Sequence, residues 1–167
     1  MTGNKSFTEL SAALRQRPHA AARIFGSPAC PDISGCVHFY QTKRGVLVAA
    51  EIFGLPQGQE HCPDGIFAFH IHSGPSCSGT EADPFADAMS HYDPEGVPHP
   101  CHAGDLPPLF ANHGYALQVF LTDRFSVREV LQKTVIIHAS PDDFTTQPSG
   151  NAGTKIACGE IKALGCC

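Results

Sequence analysis

The sequence predicts an all-β fold: an eight-stranded sandwich or flattened barrel with two long functional loops and a short N-terminal helix. Three observations carry this reading. Apolar and β-branched runs of strand length recur at 19–25, 35–42, 46–55, 66–72, 105–112, 116–122, 134–138 and 154–162. Turn-forming groups divide them, such as Gly26-Ser27-Pro28, Lys43-Arg44-Gly45, Pro56-Gln57-Gly58 and Asn112-His113-Gly114. No extended helical periodicity lies between the runs, which leaves strands to pack on strands.

Each element has its own signal. Ser6-Phe7-Thr8-Glu9 has the pattern of a capping box, opening a helix that stops before Pro18. Phe67, Phe69 and Ile71 alternate with Ala68, His70 and His72, the period of a strand. Ser126 is placed to cap a short helix within 125–132. The segments 73–104 and 140–153 resist any strand reading, and loops of that length are usually functional or disordered. These two carry or flank nearly every histidine of interest. The chain divides into an N-terminal extension, residues 1–18, and one domain, residues 19–167.

Composition narrows the function classes. The 167 residues are 42% hydrophobic and 16% charged, which suits one globular core. A net charge of −5 without a basic stripe argues against a nucleic-acid partner. The apolar runs are too short to span a bilayer. The first seventeen residues lack a basic region followed by an apolar stretch, so a cytoplasmic location is expected, although eight cysteines sit uneasily with it.

Ten histidines point to metal or proton chemistry. His70 and His72 lie two apart at a strand end, so both rings project from one face and can converge on one ion. His91, His99, His102 and Asp105 follow in the long loop, and His138 ends another strand. Imidazole suits zinc and copper, and a carboxylate is a common further zinc ligand.

The segments Phe69-His70-Ile71-His72, His91-Tyr92-Asp93-Pro94, His102-Ala103-Gly104-Asp105-Leu106, Gly150-Asn151-Ala152-Gly153 and Ala157-Cys158-Gly159 resemble the signatures of the copper–zinc superoxide dismutase family, bacterial type. They stand in the family's order, and the likeness runs from about Ala20 to Lys162. The resemblance implies a Greek-key sandwich with one copper and one zinc per chain, and an antioxidant oxidoreductase whose substrate is superoxide. It implies copper on His70, His72, His91 and His138, and zinc on His91, His99, His102 and Asp105. His91 would bridge the ions and carry a proton. Asp142 would accept hydrogen bonds from one ligand of each metal, His70 and His99. Cys77 and Cys158 would form a disulfide. Lys155 stands where most relatives have an arginine facing copper, so it would guide the anion without a planar fork. A homodimer is a possible assembly.

The zinc segment is short, His99-Pro100-Cys101-His102, which makes Cys101 a possible competing thiolate. His19, His38, His61 and His113 read as strand or turn residues. Cys30, Cys36 and Cys62 could form a second bridge of unassigned pairing, and Cys166-Cys167 could take part in copper handling. Glu81, Asp83 and Asp87 read as a solvated loop face. Two other functions compete. One is a copper or zinc storage or delivery protein on the same fold. The other, a mononuclear zinc hydrolase, wants an Asp-His pair after its HxH, where this chain has Ser73-Gly74-Pro75-Ser76.

Overall fold

A computed structural model describes residues 5–57 and 65–165. Among the described residues, helix α1 (Lys5–Ala13) precedes nine strands: β1 (Ala20–Gly26), β2 (Ser34–Thr42), β3 (Gly45–Phe53), β4 (Ile66–Phe67), β5 (Phe69–His72), β6 (Leu109–Phe110), β7 (Ala116–Thr122), β8 (Thr134–His138) and β9 (Lys155–Ala163). A short helix, α2 (Val127–Val130), joins β7 to β8. Seven strands form one antiparallel sheet in the order β5-β8-β9-β1-β2-β3-β7. The separate ribbon β4-β6 packs β6 against β7, and β4 is followed after one residue by β5, so it stands between the two ends of the curled sheet. Among the described residues no helix is long and apolar enough to cross a membrane.

Alternation decides what faces inward. On β2, Val37 and Phe39 are buried while Cys36 and His38 are half-buried on the outer face. Val37 lies opposite Ala50, and Phe39 opposite Val48, so the inward residues of β2 and β3 meet in one layer. Ala22, Ile24, Ile52, Phe69, Val135, Ile137 and Ile161 complete the same core. A one-residue slip would turn every one of these to solvent, which is why the register is firm. The β2–β3 turn needs Gly45, whose φ is +123° and whose Cβ would collide with the carbonyl of Thr122.

Two expected strands change. The run 66–72 splits at Ala68, whose N–H bonds Ser140 O while its carbonyl accepts from His138 N. The run 105–112 shrinks to Leu109–Phe110. Pro107 and Pro108 have no N–H to give a ladder, and Asp105 is drawn away into the histidine cluster. Helix α2 is capped as anticipated, with the Glu129 carboxylate accepting from both the Ser126 N–H and its hydroxyl.

The long segment 73–104 is not strand, apart from one 3₁₀ turn at Ala86–Ala88. Its far end folds back on β5: Tyr92 N donates to Ile71 O at 2.8 Å, and Ile71 N donates to Gly104 O at 2.9 Å. The edge of β5 is thereby satisfied, and His91 and Asp105 arrive beside His72 and His70. Gly104 permits this approach, since a Cβ there would strike Ile71 O.

Candidate metal centre

Seven residues from two strands and one long loop gather into two groups that share His91. His70, His72, His91 and His138 place one ligand atom each within 4.8 Å of one another, and so do His91, His99, His102 and Asp105. All are buried. Strand pairing sets the first group, since β5 and β8 are neighbours and His70 and His72 share a face. Loop closure on β5 sets the second.

The outer partners of the rings fix which nitrogen faces inward. His72 Nδ1 donates to Met89 O at 2.8 Å, and His138 Nδ1 donates to Gly153 O at 3.1 Å. A carbonyl only accepts, so in both rings the inward Nε2 is a bare lone pair. These two atoms stand 3.3 Å apart. His70 Nε2 and His99 Nε2 donate to the two oxygens of Asp142, each at 2.8 Å. That leaves Nδ1 of each ring bare, buried and without a hydrogen-bond partner. His99 Nδ1 lies 3.0 Å from Asp105 Oδ2, close enough to interact but not aligned for a hydrogen bond.

His91 is different. Its Nδ1 faces the second group, 2.8 Å from Asp105 Oδ1 and 3.4 Å from His102 Nδ1. Its Nε2 faces the first group, buried and unpartnered. Converging lone pairs without donors are unfavourable in a protein interior unless a cation lies among them. The donor chemistry therefore fits two metal ions. The mixed imidazole and carboxylate set suits zinc, and the all-imidazole set suits copper.

Burial, reinforced by the neighbouring imidazoles, pushes the His70 ring down to about 2. Burial likewise lowers His138 to about 4 and holds His72 well below its ordinary value. These rings are neutral at pH 7, the form that binds a metal. Burial alone would raise the Asp105 carboxyl, but the His91 hydrogen bond and surrounding imidazoles hold it below the usual carboxylate range.

A profile of the copper/zinc superoxide dismutase family matches residues 33–161. The chain belongs to the copper/zinc superoxide dismutase family. Among its relatives, the Cu-Zn superoxide dismutase of Legionella pneumophila is 34% identical over 149 residues, 84% of this chain and 85% of that protein. Superoxide dismutase [Cu-Zn] 2 of Aquifex aeolicus is 29% identical over 168 residues, 92% of each chain. The Cu/Zn superoxide dismutase of Brucella abortus superposes with a TM-score of 0.71 at 24% identity, over 86% of this chain and 99% of that one. A SOD-like protein from Bacillus subtilis gives 0.70 at 24% identity, over 87% and 99%. At such identity the superpositions speak for the fold alone.

The structure places the remaining expected residues as follows. Cys77 and Cys158 are bonded, joining the long loop to β9. Cys101 is exposed and outside both donor groups. Cys30 and Cys36 are free thiols, with Cys36 Sγ 3.3 Å from His38 Nε2. His19 Nδ1 accepts from Gln41 N, and His113 sits in the turn before β7. His61, Cys62 and the Cys166-Cys167 pair lie outside the described residues. The acidic face is solvated as read, with Glu81 and Asp87 exposed and the Asp83 side chain 46% exposed, but two of its carboxylates are also paired: Asp83 with Lys155 at 2.8 Å and Asp87 with the Ser78 hydroxyl at 2.5 Å.

Two features escaped the sequence reading. Gly150, at φ +67°, packs where a Cβ would collide with Asp142 Oδ1 and lie 2.7 Å from His99 Nε2. Arg124, just past β7, donates through Nη1 to the carbonyls of Pro100, His102 and Asp105 at 3.1, 3.2 and 3.2 Å. A lone arginine in a turn carries no sequence signal for such a clamp. Arg124→Ala should lower zinc affinity about tenfold and leave copper affinity nearly unchanged, by the usual effect of partners behind metal ligands. Chelator competition for each metal on one preparation measures both; equal loss of the two metals would disprove the local role. Asp142→Ala should instead weaken both metals together, each by about tenfold or more. If only zinc affinity changed in that variant, the shared-carboxylate account would be wrong.

Proposed function

We propose that this chain disproportionates superoxide to dioxygen and hydrogen peroxide, with copper held by His70, His72, His91 and His138 and zinc by His91, His99, His102 and Asp105. The observation that carries the assignment is His91, the one ring whose two nitrogens face different donor groups. Copper supplies a one-electron couple, and zinc supplies a redox-inert charge. The residues supply geometry and a proton. With a cation beside each nitrogen, His91 can lose its second ring proton near neutral pH. With zinc held on the Nδ1 side, Nε2 would be the atom that holds a proton and passes it to the departing peroxide. Two superoxide anions and two protons yield one dioxygen and one peroxide. Asp142 keeps His70 and His99 in the tautomers that face the ions.

A cleft of about 630 Å³ opens over His72 and His138 and admits a small anion. A storage or delivery protein has no need of that open face. The test compares superoxide disproportionation by metal-loaded and metal-free protein. A fully metallated preparation with no rate above the metal-free control would favour storage or delivery.

The second reading concerns assembly. Strand β7 ends the main sheet, and its outward residues Leu117, Val119 and Leu121 are 62%, 46% and 39% exposed. Phe110 on β6 is 60% exposed beside them. Contiguous apolar surface of this kind favours a partner, and the occupant proposed is a second copy of the chain. Sedimentation should give a dimer that Val119→Lys with Leu117→Lys converts to a monomer. A parent protein that sediments as a monomer at high concentration excludes it.

A further inference from the structure

Among the described residues lining the copper-side cleft, Lys155 is the one lysine or arginine, and Asp83 and Asp93 are the carboxylates. Lys155 is not free. Its Nζ donates to Asp83 Oδ2 at 2.8 Å and to Phe85 O at 2.9 Å. Asp83 is itself held in place: Oδ1 accepts from Phe85 N at 3.1 Å, and its own N–H donates to Thr80 Oγ1 at 3.1 Å. The Lys155 side chain is 16% exposed and that of Asp83 46%, so the pair is shielded on the lysine side and open to solvent on the aspartate side. An ion pair with this geometry contributes almost no net charge at a distance.

We propose that Asp83 determines how strongly the cleft attracts its anionic substrate, by cancelling the charge of Lys155 so that the metal ions alone draw superoxide in. The proposal rests on the superoxide reading above. Its logic is charge arithmetic. The parent pair sums to zero, Asp83→Asn leaves +1, Lys155→Met leaves −1, and the double variant returns to zero. Asparagine matches aspartate in shape and keeps Oδ1 for the Phe85 N–H, while its NH2 group replaces the oxygen that accepted from Lys155, so the loop turn survives and the charge goes.

The experiment uses copper- and zinc-loaded protein with metal content measured for each variant. Azide, a small anion, is titrated against the Cu(II) visible absorption, and superoxide decay is followed at several ionic strengths. Asp83→Asn should raise both azide affinity and the low-salt rate by about twofold or more, and steepen the salt dependence. Lys155→Met should lower both quantities, and the double variant should return close to the parent in both. Azide binding or rate that stays level or falls in Asp83→Asn would overturn the proposal. So would a double variant as impaired as Lys155→Met, because Lys155 would then act as a donor that Asp83 does not cancel. Failure of the superoxide reading would look different: the loaded parent itself would show no turnover.

Discussion

Replacing His91 with alanine should disturb both metals at once, and no other single substitution in the cluster should do so while leaving all other ligands and Asp142 in place. Its two ring nitrogens face separate donor groups, with Nδ1 2.8 Å from Asp105 and Nε2 buried among His70, His72 and His138. The variant should show an altered copper spectrum, a zinc affinity lower by about tenfold or more, and loss of most of the turnover. His99→Ala and Asp105→Ala, which touch one group only, should release zinc first and leave copper largely bound. Equilibrium dialysis and the copper spectrum, measured on each variant, decide it. A His91→Ala protein that lost one metal with the other site unchanged in affinity and spectrum would remove the bridging assignment.

Opening the disulfide should have the next largest effect. Cys77 and Cys158 are 81 residues apart, and closing a loop of that length stabilises by about 4.5 kcal/mol in the chain-entropy account. For a domain of this size that corresponds to a fall in melting temperature on the order of 10 °C. The bond also anchors the segment that presents Met89 O to His72 and carries Asp83 and Phe85 against Lys155. Phe85 and Ala88 pack with Cys158 and Ile136 in a small satellite core, so loosening begins there. Calorimetry of the metal-free protein, oxidised and reduced, gives the shift directly. A melting temperature unchanged by reduction, or mass mapping that finds both thiols free in active protein, would contradict the prediction.

The fold was largely legible because strands declare themselves locally. The alternation in Val37 and Phe39, or in Val46, Val48, Ala50 and Ile52, follows from the two-residue period of the backbone. The sequence reading erred where the backbone answers to distant groups. The run 66–72 breaks at Ala68 because Ser140 and His138 claim its polar atoms. Residues 105–112 keep only two in a ladder, since Asp105 serves the metal cluster and two prolines follow. The pairing of Asp83 with Lys155 was missed because the two lie 72 residues apart.

The sequence by itself named the candidate donors His70, His72, His91, His99, His102, Asp105 and His138, because residue type and spacing are written in the chain, and the family motifs divided them between two metals. The family motifs extended this to the disulfide and to the carboxylate at Asp142. Only the tertiary structure decided which nitrogen each ring turns inward, and that choice is the chemistry. His72 is oriented by a carbonyl 17 residues on, His138 by one 15 residues on, and His70 by a carboxylate 72 residues on. It also decided that Lys155 shares its charge with Asp83 and that Arg124 clamps three carbonyls of the zinc loop. The reason is physical. A ring tautomer or an ion pair is fixed by whichever acceptor lies within about 3 Å, and folding chooses that neighbour without regard to order along the chain.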